Sequence, residues 1–330
     1  MKLMNVILSA FLFSGLILVA NTSSAAVVRV GYFPNITHAP AIIGLKKDFF
    51  KKELGSSNEI KTFTFTAGPA AVEALFANSI DIAYVGPNPA INAYVKSQGK
   101  AVRVISGVSS GGARLIVQGD SKLAVPKDFE GKKIATPQLG NTQDVAAREW
   151  LNLAGVRTTT QGGKVQILNM ANPDQVSQFK RKEIDAAWTV EPWSSILILE
   201  ANGKELVNEK NLWPNKKFAT ALIIVRKDFL EKNPEVVKSW LQGHLKTLEW
   251  IKKNSKEFKE VLNGEFKVLS GKPINDKVLD SALSQIEFTS DPLESTVLKS
   301  AKNAFDLGFL GSKEPDLSQL FDLAILQKLK

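Results

Sequence analysis

The chain has 330 residues, with 42 Lys and Arg against 33 Asp and Glu, a net charge of +9, two histidines and no cysteine. Without cysteine there is no disulfide, thiolate nucleophile or thiolate metal ligand, and two histidines do not supply the clustered ligands of zinc or manganese sites. The lysines are scattered along predicted helices and form no basic stripe with aromatic side chains, which is not the pattern of a nucleic-acid-binding protein. The positive charge is compatible with steering small anions.

The first 26 residues predict a secretory signal peptide. Lys2 precedes an apolar run from Val6 to Ala20, and Ser24 and Ala26 are small residues at the −3 and −1 positions of a cleavage site. No later stretch reaches the ~18 apolar residues of a membrane span. Because no cysteine is available for a lipid anchor, we expect release into the periplasm as a soluble protein of about two domains.

Residues 27–119 predict a first α/β lobe. Period-two alternation indicates strands, and a proline-containing amphipathic stretch indicates the first helix. Gly111 and Gly112 separate the last two strands and permit a hinge. The predicted elements are strands at 27–33, 60–68, 101–110 and 113–119, and a helix at 34–54.

Near Asp120 the alternation of strands and helices begins again, which predicts a second lobe over residues 120–221. After it the chain is mostly helical, so we assign 222–330 to lobe one as a helical C-terminal extension. Two crossings between lobes make a hinge, and a ligand is expected in the cleft. The predicted elements are strands at 132–137, 164–170 and 218–230, and helices at 138–155, 233–254, 274–287, 292–309 and 316–330.

One stretch occurs twice, at residues 69–89 and 173–193, shifted by 104 residues. Pro69 matches Pro173, and Ile80-Asp81 matches Ile184-Asp185. Each copy predicts a helix, a strand and a proline-bearing turn into another helix. Such turns place unpaired N–H groups and a positive helix dipole at the sheet edge where anions bind. The alternative is that two βα units of any α/β protein look alike by chance.

Enzyme motifs are weak. Residues 107–111 match G-x-S-x-G, but a nucleophile elbow needs a strand, a turn and then a helix, and here a strand follows. Neither nucleotide-binding glycine motif is present, so no cofactor is expected. His38 has no sequence neighbour that would complete a catalytic pair, and it is better explained as a neutral hydrogen-bonding group in a pocket wall. We therefore expect a binding protein, with an exported α/β hydrolase as the rival class.

The candidate ligand-binding residues are small polar groups in the predicted βα turns. Each could equally be a helix cap, but together they could bind an oxyanion through dipoles. Trp188 and Tyr84 could wall the cleft or belong to the core. Glu191 could accept a hydrogen bond from an amino or hydroxyl group of the ligand, or stabilise its own helix N-terminus. The turn candidates are Asn35, Thr37, His38, Gly68, Gly86, Asn88, Ser110, Gly111, Asn141, Thr142 and Gln143.

The chain resembles the periplasmic solute-binding proteins of ABC importers in the nitrate, taurine and aliphatic sulfonate group. The resemblance rests on the blocks at 30–50, 65–94, 135–151, 172–193 and 223–241, including ATPQLGNTQDVAAREWL and NPDQVSQFKRKEIDAAWTVEPW. It implies an α/β, two-lobed Venus-flytrap fold of type II topology that closes on its ligand and docks with a membrane permease. It also implies that the turn residues above bind the oxyanion, with Trp188 and Glu191 contacting the rest of the ligand.

The resemblance does not identify the ligand. A zwitterion such as taurine would give Glu191 a partner, so an aliphatic sulfonate or taurine is favoured. Nitrate, bicarbonate, an aromatic acid or a pyrimidine precursor remain alternatives. No arginine occupies an obvious site position. We expect a monomer whose partners are a small anion and the transmembrane subunits of a permease.

Overall fold

The computed structural model describes residues 26–330, so the predicted signal peptide, apart from Ala26, lies outside the described residues. The strands are β1 (Val27–Tyr32), β2 (Glu59–Thr64), β3 (Ile82–Val85), β4 (Val102–Gly111), β5 (Ala113–Gln118), β6 (Lys133–Thr136), β7 (Gln166–Asn169), β8 (Ala186–Val190), β9 (Gly203–Asn208), β10 (Ala219–Arg226) and β11 (Ile286–Phe288).

The helices alternate with these strands up to β10 and then dominate the remainder of the chain. They are α1 (Ala39–Lys46), α2 (Phe49–Leu54), α3 (Gly68–Phe76), α4 (Pro87–Lys96), α5 (Thr142–Asn152), α6 (Asn172–Lys180), α7 (Trp193–Glu200), α8 (Lys227–Lys232), α9 (Pro234–Lys253), α10 (Ser255–Ser270), α11 (Asp276–Leu283), α12 (Glu294–Asp306) and α13 (Ala324–Leu329). None of the helices in this described part is long and apolar enough to span a membrane.

The strands form two sheets with the same internal plan. The first has the order β11-β4-β10-β3-β1-β2 and the second β7-β6-β8-β5-β9. In each sheet three neighbouring parallel strands are followed by one antiparallel strand, which is β10 in the first sheet and β5 in the second. Each of these two strands follows a point where the chain crosses from one lobe to the other. This is the type II arrangement, and the expected two-lobed α/β fold is confirmed.

The chain crosses between the sheets earlier than the sequence indicated. β4 ends at Gly111 in the first sheet, and β5 begins at Ala113 in the second. Gly111 and Gly112 both have positive φ, +80° and +77°, which glycine adopts without strain. The boundary predicted at 119/120 is therefore wrong for β5, and β10 returns at Ala219 rather than at 222. An apolar strand pattern does not tell which of two sheets the strand joins.

The repeat coincides with equivalent elements of the two lobes. α3 covers Gly68–Phe76 and α6 covers Asn172–Lys180, so both ends are shifted by 104 residues. β3 begins at Ile82 and β8 at Ala186. The two copies are thus the same βα unit built once in each lobe.

Each lobe has its own apolar core, and the C-terminal helices extend the core of lobe one. α9 buries residues of one face, including Trp240 and Leu241, at the spacing expected of an amphipathic helix. Phe50 of α2 stacks on Trp240 with ring centroids 3.9 Å apart. In lobe two, Trp188 packs edge-on against Trp150 of α5. These two cores hold the carboxyl ends of the parallel strands of both sheets toward a common cleft.

Candidate functional site

A small polar cavity lies between the lobes where the parallel strands end. Only about 20 Å³ is open to the centre of a water molecule. None of the lining residues is Asp, Glu, Lys or Arg. The lining residues are Phe33, Asn35, Thr37, His38, Thr66, Gly86 and Thr220 from lobe one, and Pro137, Asn141, Thr142, Gln143, Asn172 and Val190 from lobe two.

Helix N-termini from both lobes surround this cavity. Gly86 is the N-cap of α4, Asn141 is the N-cap of α5, and Asn172 is the first residue of α6. α3 begins beside the cavity at Gly68, where an added Cβ would lie 3.4 Å from the Asn141 side-chain oxygen. Each N-terminus contributes unpaired N–H groups and a positive partial charge. The cavity is therefore electropositive without containing a cationic side chain.

The two lobes contact each other directly at Gly86 and Thr142. A Cβ built on Gly86 would lie 2.3 Å from Thr142 Oγ1 and 3.3 Å from Thr142 Cβ. The Thr142 hydroxyl is buried and has no hydrogen-bond partner. A buried polar atom without a partner is unfavourable, so this hydroxyl is available to a ligand.

Two asparagine side chains in the cavity have a defined orientation. The Trp193 indole N–H donates to Asn35 Oδ1 at 2.8 Å, and the Thr142 backbone N–H donates to Asn141 Oδ1 at 2.9 Å. Indole and peptide N–H groups only donate, so the accepting atom must be the amide oxygen. The NH₂ groups of both asparagines are thereby left for the cavity.

Asn172 is oriented in the same way by residues behind it. Its Oδ1 accepts from Thr189 Oγ1 at 3.1 Å and from Gln175 Nε2 at 3.3 Å. Thr189 and Gln175 are fully buried. A third amide in the cavity therefore presents its donor group.

His38 is a neutral donor in the cavity wall. Its Nδ1 accepts from the Phe33 backbone N–H at 3.4 Å, and its ring stacks on Phe33 with centroids 4.4 Å apart. Burial lowers the pKa of His38 to about 3, so the ring is uncharged near neutral pH. With Nδ1 accepting, the proton of the neutral ring is on Nε2.

Asp144 holds the turn that leads into α5. Its carboxylate accepts from Thr136 Oγ1 at 2.9 Å, from Gly140 N at 3.0 Å and from Asn169 Nδ2 at 2.9 Å. It is also paired with Arg148 at 3.1 Å. This buried carboxylate neutralises the arginine and orders the backbone that presents Asn141 and Thr142.

A second contact between the lobes is made by α5 and the turn before it, which pack against α4, α12 and the segment after α12. The Arg148 guanidinium lies 5.8 Å from the centre of the Phe309 ring, and Asn92 Nδ2 donates to Gly140 O at 3.4 Å. Glu149 of α5 has a buried oxygen without a partner. Burial, together with the nearby charge of Asp306, raises the pKa of the Glu149 carboxyl. The lobes are thus closed on each other, and closure partly buries the Glu149 carboxylate.

Seven of the eleven turn candidates line the cavity: Asn35, Thr37, His38, Gly86, Asn141, Thr142 and Gln143. Four others lie nearby without lining it. Gly68 begins α3, and Asn88 Nδ2 donates to Ser300 O at 3.4 Å. Ser110 Oγ accepts from Phe218 N, and Gly111 O accepts from Thr220 Oγ1. These last two residues belong to the crossing between the lobes.

Trp188 and Tyr84 do not wall the cleft. The Trp188 side chain is fully buried in the core of lobe two, where its indole N–H donates to Glu209 at 2.7 Å. Tyr84 is fully buried in lobe one, between His38 and His244. Their positions near strand ends matched a cleft wall, but both rings point into the cores.

Glu191 is also away from the cavity, because it is paired with an arginine that the sequence did not single out. Arg114 Nη2 donates to Glu191 Oε1 and to Ser195 Oγ, and both charged side chains are buried. Glu191 Oε2 accepts from Ser195 N at 3.1 Å. Burial raises the pKa of the Glu191 carboxyl, and the Arg114 charge opposes that shift. The expectation that this carboxylate meets an amino group of the ligand is therefore not supported by its position.

Sequence reasoning missed several lining residues. Asn172 could have been found from the repeat, because it is equivalent to Gly68 in the first copy. Thr66 and Thr220 carry no motif, and Thr220 enters the cavity from β10, after the second crossing. The apolar lining residues Phe33, Pro137 and Val190 were likewise not predicted.

Enzyme-like features are not assembled here. The G-x-S-x-G residues 107–111 lie within β4, and Ser109 is buried in that strand, so no strand-to-helix elbow forms. Among residues 26–330 no group of three or more His, Asp or Glu side chains is placed to hold a metal ion.

Two lobes of type II topology around a cleft bounded by helix N-termini define a periplasmic-binding-protein fold. The chain belongs to the NMT1-like family, whose model matches residues 21–263. The predicted resemblance to nitrate-, taurine- and sulfonate-binding proteins is confirmed at the level of family and fold.

Individual relatives are similar over much of the chain. Proteins of Brucella abortus and Brucella suis, named only as binding proteins, are 33% identical over 64% of this chain. The matched stretch spans 62% of the length of those proteins. The taurine-binding periplasmic protein of Escherichia coli K12 is 28% identical over 70% of this chain and 68% of its own. Among solved structures, the alkanesulfonate-binding protein SsuA from Xanthomonas axonopodis pv. citri, bound to MOPS, has a TM-score of 0.76 at 19% identity, covering 92% of this chain and all of that one.

Proposed function

We propose that this protein is the periplasmic substrate-binding component of an ABC importer. It captures a small oxyanion between its lobes as a monomer and delivers it to the transmembrane subunits of a permease. The observation that carries the proposal is the cavity itself, where helix N-termini of both lobes converge and no lining side chain is charged. The named ligands of the relatives in Escherichia coli and Xanthomonas, taurine and an alkanesulfonate-type compound, support the same class.

The available donors are sufficient for useful affinity. A micromolar ligand requires about 8 kcal/mol of binding free energy. A hydrogen bond to a charged group contributes about 1.5 to 3 kcal/mol. Three oriented amides, the Thr142 hydroxyl and the helix N–H groups exceed that requirement before the entropy of binding is subtracted. No arginine or lysine is therefore needed to balance the anion.

The ligand we favour is an aliphatic sulfonate. Taurine carries an ammonium group in addition, and the carboxylate expected to receive it, Glu191, is occupied by Arg114. Because Trp188 and Glu191 lie outside the cavity and the closed cavity is small, nitrate or bicarbonate is the second candidate.

Native mass spectrometry of the freshly purified exported protein would identify a retained ligand. Calorimetry with ethanesulfonate, taurine, nitrate and bicarbonate should then show one-to-one binding of an oxyanion without turnover. Thr142→Ala, which removes the unpartnered hydroxyl, should weaken that binding about 10-fold or more. Release of a product, or no binding of any oxyanion, would reject the proposal and favour the exported hydrolase.

A further inference from the structure

Three side chains outside the cavity donate hydrogen bonds to asparagines that line it. Gln175, Thr189 and Trp193 do not line the cavity, yet each donates a hydrogen bond to the amide oxygen of a residue that does. Gln175 and Thr189 are fully buried, and Trp193 is 9% exposed. Their contacts are with the protein and not with the ligand space.

We propose that Gln175, Thr189 and Trp193 are positioning residues that decide the sign of charge the site accepts. They hold the oxygens of Asn35 and Asn172 away from the cavity and turn both NH₂ groups into it. This inference rests on the proposed function, since it concerns how the same cavity selects among small ligands.

On lobe two, Gln175 fixes which way the Asn172 amide is oriented. Its Nε2 donates to Met170 O at 3.2 Å, and because a carbonyl only accepts, the Gln175 amide cannot be turned around. The same NH₂ group reaches Asn172 Oδ1, so Asn172 must offer its oxygen there. Thr189 adds a second donor to that oxygen. Each such bond biases the orientation of the Asn172 amide by a factor of about 2 to 10.

Lobe one has no equivalent hydrogen-bonding side chains at the corresponding positions. The repeat places Gly68, Ala71 and Val85 where lobe two has Asn172, Gln175 and Thr189. At that point lobe one offers only a bare helix N-terminus, whereas lobe two offers an oriented amide. Side chains of lobe two therefore decide whether the asparagines present a donor or an acceptor to the cavity. Gln175 and Thr189 orient Asn172 within lobe two, and Trp193 of α7 orients Asn35 across the cleft.

The lining consequently presents donors: three amide NH₂ groups, the His38 ring N–H and helix N–H groups. A ligand made of acceptors satisfies them, but an ammonium group would find no carboxylate among the lining residues. A site built to hydrogen-bond one kind of group strongly rejects a ligand that leaves its buried polar atoms unpaired. Ethanesulfonate and taurine differ only in the amino group, so they are the matched pair that measures this selectivity.

The experiment measures affinities of ethanesulfonate, nitrate and taurine by calorimetry for wild type, Thr189→Val, Gln175→Met and Trp193→Phe. We expect wild type to prefer ethanesulfonate to taurine. Each variant removes one of the donors that hold an amide oxygen away from the cavity, so the affinities for ethanesulfonate and nitrate should fall about 2- to 10-fold. The affinity for taurine should fall less, so the ratio of ethanesulfonate to taurine affinity should narrow. Thr189→Ser, which keeps the hydroxyl, should restore wild-type selectivity. Ser177→Ala on the same helix, whose hydroxyl donates to Pro173 O, is the matched control and should change neither affinity.

Thermal unfolding of each variant separates misfolding from altered selectivity. Trp193→Phe changes α7 and tests the orientation of the Asn35 amide. The inference therefore stays testable if Gln175→Met on α6 or Thr189→Val on β8 is unstable. An unchanged ratio of ethanesulfonate to taurine affinity in all three variants, including equal losses for both ligands, would overturn the positioning role. Failure of wild type to bind any oxyanion would instead count against the proposed function.

Discussion

Gly86→Ala should act on lobe closure while leaving each lobe intact. Gly86 has φ −72° and ψ 165°, an extended conformation that alanine adopts freely. The conflict lies across the cleft, where the new Cβ would be 2.3 Å from Thr142 Oγ1. Normal contact requires a separation of about 3.5 Å, so the lobes must stay about 1 Å further apart at this point. Rotation of the Thr142 side chain gives only part of the relief, because its Cβ would still lie 3.3 Å from the new methyl group.

The expected magnitude follows from overpacking at a tight contact. Forcing an extra methyl group into such a place costs about 1 to 3 kcal/mol. Because this cost arises only in the closed form, ligand affinity should fall about 5- to 150-fold. The ligand-free protein should unfold at nearly the same urea concentration, since the gain of about 0.4 to 1 kcal/mol from Gly→Ala is offset by the poorer N-cap that alanine gives α4.

A double-mutant cycle with Thr142→Ala tests the reasoning. Calorimetry with ethanesulfonate or nitrate gives the affinities, and urea titration gives the stabilities. Removing the Thr142 hydroxyl also removes the conflicting atom, so Gly86→Ala should cost much less in that background. The explanation is refuted if Gly86→Ala weakens binding equally in both backgrounds, or if it lowers the stability of the ligand-free protein.

Two further predictions concern buried carboxylates. Glu191→Ala removes the buried partner of Arg114 and leaves that arginine only the partly exposed Glu205, 3.1 Å away. The free energy of unfolding in urea titrations should therefore fall by about 1 to 3 kcal/mol, less than for a fully uncompensated buried charge. Glu183→Ala, which breaks an exposed ion pair, should lower it far less, and equal effects would show that burial is not the cause. Burial and Asp306 raise the pKa of Glu149 in the closed form, so closure is penalised above that pKa and relieved as pH falls toward the ordinary carboxyl range. Ligand affinity should therefore increase as the pH falls from 7 toward the ordinary carboxyl range. Glu149→Gln should bind more tightly at pH 7 with a flatter pH profile, and an identical profile in the variant would exclude Glu149.

Local patterns in the sequence predicted the two-lobed fold and about half of the residues that line the cavity. The repeat located α3 and α6, and small polar residues after strands located Asn141 and Thr142 because helix caps and anion contacts use the same residue types. Pairings between distant residues could not be predicted this way. Arg114 lies in an apolar strand far along the chain from Glu191, so nothing local indicated that it neutralises that carboxylate. The same limit explains why β5 was assigned to the wrong sheet.

The origins of β5 and β10 in the chain have a consequence for the order of folding. All five strands of the second sheet come from residues 113–208, so this sheet can complete its hydrogen-bonded ladder before the last third of the polypeptide takes part. In the first sheet β3 and β4 are joined only through β10, so the pairing of these strands requires a segment that lies more than a hundred residues later in the chain, and such non-local pairing is slow. We therefore expect the lobe that contains β1 to finish folding last.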